Sequence, residues 1–152
     1  MAEIKTAAEL IPEVENIIKK YFPNSTSSVR FSRNMLPGIN VQFALGKKSD
    51  WASGYDDNSP LSFRTMFIYG FNNEGEILGN LEFRPNSISM MIKPPKDSYL
   101  AYGRAKISTR KKKGDVKTIL KGVESAFSNM HKVAKANISN LANGHEYVKK
   151  YL

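Results

Sequence analysis

The spacing of apolar and polar positions changes period twice along the chain. Over residues 7–22, Ala7, Leu10, Ile11, Val14, Ile17, Ile18, Tyr21 and Phe22 recur every three or four positions. That spacing gathers them into one buried stripe of an α-helix. Thr6 followed by Glu9 forms a capping-box pair at its start. Pro12 has no N–H to donate to the carbonyl of Ala8, so the regular helix is expected to begin nearer Leu10. Phe22-Pro23-Asn24-Ser25 ends it.

The period then falls to two. Val29 and Phe31 alternate with Arg30 and Ser32, and Ile39, Val41, Phe43 and Leu45 with Asn40, Gln42 and Ala44. Phe63, Thr65, Phe67, Tyr69 and Phe71 alternate with Arg64, Met66, Ile68 and Gly70. Such alternation, rich in aromatic and β-branched residues, predicts strands with one dry face, here the face of Val29, Ile39 and the Phe63–Phe71 set. Residues 71–76 read as a hairpin turn, Ile77–Arg84 returns from it, and Ser87–Lys93 makes a further short strand after Pro85-Asn86. Short turns pair such strands antiparallel, which leaves one face wet. Arg30, Asn40, Gln42, Arg64, Asn80, Glu82 and Arg84 are its expected members.

A helical period returns after Gly114-Asp115, where Asp115 is a good N-cap. Val116, Leu120, Val123, Phe127, Met130, Ala134 and Leu141 carry the stripe, widened by Ile119, Ala126, Val133 and Ile138. A helix of roughly 25 residues is expected, stopped at Asn143-Gly144. The reading is therefore α+β: an antiparallel sheet of about five strands with an N-terminal helix and a long C-terminal helix packed on it. At 152 residues the chain fits one domain, 1–152.

Charge divides that domain unevenly. Residues 1–92 hold 9 Lys and Arg against 10 Asp and Glu, and residues 93–152 hold 14 against 4, so the overall +9 lies in the second segment. Its peak is Arg110-Lys111-Lys112-Lys113. Basic concentration of this kind points to nucleic acid (DNA or RNA) or to another acidic partner surface. From Leu100 to Lys112 the basic segment alternates as well. Tyr102, Arg104, Lys106, Ser108, Arg110 and Lys112 fall on one side, and Ala101, Gly103, Ala105, Ile107 and Thr109 on the other, expected to face the protein. A row of cations on an extended strand can follow a phosphate backbone, and Lys on an edge strand also blocks edge-to-edge aggregation. Lys117, Lys121, Lys132 and Lys135 lie within roughly 60° of one another on the long helix.

Other chemistries find less support. There is no Cys, which removes disulfides and thiolate catalysis, and no apolar run of about 18 residues for a membrane span. The polar opening Met1-Ala-Glu-Ile-Lys is unlike a signal peptide, so a cytoplasmic location is expected. Neither HExxH, GxSxG nor a P-loop is present, and the two His, His131 and His145, have no triad context. Asp50, Asp56, Asp57 and Asn58, in the long polar loop 46–60, miss the EF-hand spacing. No metal and no cofactor is expected.

The lead expectation is a non-catalytic, sequence-tolerant nucleic-acid-binding protein. Lys93, Lys96, Arg104, Lys106, Arg110, Lys111, Lys112, Lys113, Lys117 and Lys121 would meet phosphates. Tyr99, Tyr102 and Trp51 would stack, favouring single strands. The alternative is a structural or adaptor subunit of a larger assembly, nucleoprotein or phage-like, gripping it with the basic arm. Heptad-like spacing around Asn137 also allows a homo-oligomer. The third reading is a metal-dependent nuclease using Asp56 or Asp57 with Glu82, weakened by Arg84 standing where a Lys is wanted.

Overall fold

The computed structural model describes residues 3–33, 36–45, 61–84, 89–92, 103–106 and 112–138, and side chains for 3–33, 36–42, 66–84, 112–132 and 135. Helix α1 spans Ala7–Tyr21. It starts one turn earlier than Pro12 suggested, because its first donors are satisfied from outside the helix ladder. Thr6 Oγ1 accepts from the Glu9 N–H at 3.2 Å and donates to Glu9 Oε1 at 3.0 Å. Ala7 N–H donates to Gly75 O at 2.7 Å, and Ile77 N–H to Lys5 O at 2.9 Å. Tied to the 72–76 turn in this way, the first turn persists although Pro12 gives up the bond to Ala8. Leu10, Val14, Ile18 and Phe22 are fully buried, as their spacing requires.

The strands are β1 (Ser25–Ser32), β2 (Gly38–Leu45), β3 (Leu61–Phe71), β4 (Ile77–Arg84), β5 (Ser89–Ile92), β6 (Gly103–Lys106) and β7 (Lys112–Gly114), and α2 follows as Val116–Ile138. All pairings are antiparallel, in the order β1-β2-β3-β4-β7, with β5 pairing β3 and β6 pairing β5. β4 and β5 follow one another along the same side of β3. β7 pairs β4, with Leu81 opposite Gly114, and β6 pairs β5 in the same register, with Ile92 opposite Gly103. Seven strands thus make five ranks, and the basic segment supplies the outermost. At the hairpin, Asn72 Oδ1 accepts from the N–H groups of Glu74 (3.1 Å) and Glu76 (2.8 Å), and Gly75 takes the positive φ of 82° that closes the turn.

Both helices pack on one face of this sheet. Ile39, Val41, Met66, Ile68, Leu81 and Phe83 meet Leu10, Val14, Ile18, Ile119, Val123, Phe127 and Met130 in one buried cluster. This corrects the expected dry face of β3. Met66 and Ile68 are buried, whereas Phe67 and Tyr69 lie half-exposed on the opposite side. Two irregularities reverse the alternation. Between the pairs Phe43–Phe63 and Val41–Met66, β3 carries one residue more than β2, so a run of alternating positions changes face there. Between Tyr69–Glu82 and Phe71–Ile77, two steps along β3 match five along β4, and Phe71 is again buried. Gly70, at φ 120°, makes that second shift feasible, since a Cβ there would stand 2.8 Å from Asn80 O.

Helix α2 opens as expected, with Asp115 Oδ1 accepting from the Thr118 N–H at 2.9 Å. It holds 23 residues. The expected stop at Asn143-Gly144 lies outside the described residues.

Candidate nucleic-acid interface

Four of the predicted phosphate contacts have described side chains. Lys112 and Lys113 lie on β7, Lys117 and Lys121 on α2, and all four are exposed. Arg104 and Lys106 belong to β6, where their backbones pair with Met91 and Ser89; their side chains are not described. Lys93, Lys96, Tyr99, Tyr102, Arg110, Lys111 and Trp51 lie outside the described residues, as do Asp50, Asp56, Asp57, Asn58 and His145.

The described cations straddle the edge of the sheet. Lys112 stands directly opposite Phe83, a core residue, and therefore springs from the helix-bearing face. The expectation that the Lys112 side of the segment faces away from the protein is corrected at this end. Lys112 turns inward because β7 has α2 beside it, and Gly122 of α2 leaves the space: a Cβ on Gly122 would come within 3.1 Å of Lys112 Cγ. The aliphatic stem crosses the helix there while the residue as a whole stays exposed, the usual division of a long cationic side chain. Lys113, one residue on, is opposite Glu82 on the other face.

The outward side of α2 continues this basic surface. Lys117, Lys121, Lys132 and Lys135 are all exposed, and within roughly 60° of one another about the axis. Glu124 is the one acidic residue of α2. It is turned toward α1, where Lys20 Nζ lies at 2.5 Å and the Tyr21 hydroxyl donates at 3.0 Å. The hydrogen bond from Lys20 holds the Glu124 carboxyl below its ordinary value, and the same bond raises Lys20. The acid thus joins the two helices.

The opposite face of the sheet holds residues that sequence reasoning placed wrongly or passed over. The rings of Phe67 and Tyr69 stack with centroids 5.6 Å apart and planes at 12°. The Arg84 guanidinium lies 5.1 Å from the Tyr69 centroid. It also holds Glu82, with Nε 3.0 Å from Oε1 and an Nη2–H bond of 3.1 Å to Oε2. Gly70, a lone glycine in the strand, signals only the second shift, at Phe71; the shift that moves Phe67 and Tyr69 lies between Phe63 and Met66, where no glycine stands.

Among the described residues no three His, Asp or Glu gather at one point. His131 sits edge-on to Phe22, with centroids 5.4 Å apart, and burial followed by the nearby Lys135 lowers its pKa. Among the described residues no helix is long and apolar enough to cross a membrane. Comparison with models of known families, with curated proteins and with solved structures finds no match.

Proposed function

We propose that this chain is a non-catalytic nucleic-acid-binding protein that engages phosphates with little regard to base sequence. The observation that carries the reading is the Lys112 stem laid across Gly122. It sets the basic rim of the sheet against α2, the helix that carries the lysine stripe. Lys112, Lys117 and Lys121 are exposed on the helix side of the rim, and Lys113 on its other side. Ammonium groups act on phosphate as mobile point charges, so such a surface favours a polyanion without selecting bases.

Fluorescence polarisation with labelled single- and double-stranded oligonucleotides across a salt series tests the proposal. Affinity is expected to fall linearly on a log–log plot, with about 0.9 of slope lost for each duplex phosphate contact removed. Replacing Lys112, Lys113, Lys117 and Lys121 together by Ala should flatten the slope by about 3.6 for a duplex and about 2.8 for a single strand. Absence of binding at about 50 mM salt, or an unchanged slope in the quadruple variant, would sink it.

A further inference from the structure

The face of the sheet away from the helices carries two cross-strand rows that the lysine surface does not use. In the first, Arg30 of β1 pairs with Asn40 of β2, Asn40 with Phe67 of β3, and Phe67 with Arg84 of β4. In the second, Gly38 pairs with Tyr69, Tyr69 with Glu82, and Glu82 with Lys113 of β7. Each row has an aromatic ring near its middle and a cation at its end. The described residues place no helix on this face.

We infer that this face is a stacking platform for the bases of a single-stranded nucleic acid, with Phe67 and Tyr69 as the ring pair. The inference rests on the proposed phosphate-binding function and names its substrate class. The ring geometry is the first support. Two half-exposed aromatics held nearly parallel offer a broad π surface, and bases of any identity stack on such a surface. The backbone is shaped to hold one of them. Gly38, opposite Tyr69, has no side chain, and a Cβ there would meet Tyr69 Cδ1 at 2.8 Å, so the ring lies close against the neighbouring strand.

The charges are the second support. Arg30 is exposed at the β1 end of the platform and Lys113 at the β7 end. Arg84 stands between them with its guanidinium against Tyr69. With neighbouring strands about 4.8 Å apart, β1 and β7 stand about 19 Å apart across the rings. That width suits a strand of on the order of four nucleotides, its bases over the rings and its phosphates at the flanks. Lys113 belongs to both surfaces, so a strand bound on the platform continues onto the basic rim.

A duplex cannot stack its bases on a protein face without unpairing, which separates this platform from the lysine surface. The experiment uses the full chain with a labelled deoxythymidine 12-mer, a duplex of equal length and inorganic polyphosphate as a base-free polyanion. Phe67→Leu/Tyr69→Leu should weaken 12-mer binding on the order of a hundredfold, about tenfold per ring, while duplex and polyphosphate binding and the salt slope stay as they were. Phe67→Tyr and Tyr69→Phe keep both rings and should keep the affinity, which separates stacking from a general loss of structure. A 2-aminopurine placed mid-strand should be quenched on binding by the parent and by these conservative variants. If the 12-mer binds the double-Leu variant as tightly as the parent, or if all three ligands weaken alike, the platform is overturned while the phosphate reading stands. If none of the three ligands binds the parent chain, both are overturned.

Discussion

The two faces of the sheet are built from the same strands yet use their apolar residues differently. On the helix-bearing face, Ile39, Val41, Met66, Ile68, Leu81 and Phe83 are between 0 and 1% exposed. Five of the six are aliphatic or thioether side chains that interlock with the ridges of α1 and α2. On the other face the apolar residues are rings, Phe67 and Tyr69, half-exposed among Arg30, Asn40, Glu82 and Arg84. Close packing against helices rewards shape and removal from water. A half-exposed ring can instead receive a cation on its π face, as Tyr69 does from the Arg84 guanidinium. The difference teaches that total hydrophobicity does not choose the buried side of a strand. The neighbouring rows do, because Ile39 and Phe83 flank Ile68 in register and demand a buried partner between them.

The comparison is tested most severely by truncating one large side chain on each face. Phe83→Ala removes a fully buried ring from the core and should cost about 3–5 kcal/mol. Phe67→Ala removes a half-exposed ring whose stacking on Tyr69 is worth about 0.5–1.5 kcal/mol. Urea unfolding midpoints of the two variants provide the measurement. Equal losses would mean that the ring-bearing face is core after all.

The next effect concerns the irregularity that returns Phe71 to the buried side. Gly70 and Gly79 both have positive φ, 120° and 105°, so each resists a side chain. Only Gly70 also lacks room, with Asn80 O and Leu81 Cα within 2.8 and 3.0 Å of an added Cβ; at Gly79 nothing lies within 4 Å. Gly70→Ala is therefore expected to cost about 2–3 kcal/mol and Gly79→Ala about 1 kcal/mol. Matching losses in thermal or urea unfolding would show that backbone conformation alone, and not the close approach of β4, sets the cost.

This region also marks where the sequence was readable and where it was not. Thr6 with Glu9, Asp115 before Val116 and the Asn72–Gly75 turn are local signals, satisfied by atoms within a few residues, and each is realised. The three-and-four spacing of Leu10, Val14 and Ile18 likewise needs only the helix itself. The faces of β3 depend on partners far along the chain. The extra residue between Phe63 and Met66 has no glycine to announce it, so strict alternation carried Phe67 and Tyr69 to the wrong side. The inward turn of Lys112 was hidden for a related reason, since it depends on Gly122 lying beside β7. The concentration of basic residues, by contrast, is a property of the sequence, and the pairing of β7 with β4 and of β6 with β5 puts that segment at the rim of the described sheet. That is also the position in which lysines deter edge pairing, so the binding proposed for the rim would use the residues that protect it.

A smaller effect separates the faces by pH. His131 is partly buried against Phe22 on the helix side, and burial, then Lys135, lowers its pKa from the ordinary 6.5. The unfolded chain then binds the proton more readily than the folded one. The stability due to the neutral imidazole is complete above about 6.5 and is lost as the pH falls from there through the lowered folded value. The carboxyls of Glu124 and Asp115, both lowered, add their own losses only in the carboxylate range, well below this window. His131→Gln should remove the pH dependence just below 6.5 and leave stability above about pH 7.5 parallel to that of the parent. A parent chain whose unfolding midpoint is flat between pH 7 and 5 would rule out this contribution.

The smallest structural effect belongs to the ring-bearing face and has the most to say about its use. Glu82 is held by Arg84 at 3.0 and 3.1 Å, but the two side chains are 26 and 36% exposed, so water screens the pair. Exposed pairs of this kind contribute about 0–1 kcal/mol, and Glu82→Gln should shift the unfolding midpoint by no more than that. The same change removes the one carboxylate from the two rows that run from Arg30 to Lys113. A phosphate about 8 Å from that carboxylate is repelled in water by about 0.5 kcal/mol, so a single-stranded ligand on this face should bind Glu82→Gln about twofold more tightly at low salt. The gain should disappear near 1 M salt, where the screening length is about 3 Å. A ligand held only by Lys112, Lys117 and Lys121 on the helix side of the rim should gain less from the change. Glu82→Gln thus distinguishes the two faces by binding where stability barely registers it, and a gain of the same size for duplex and single strand would assign both ligands to one surface.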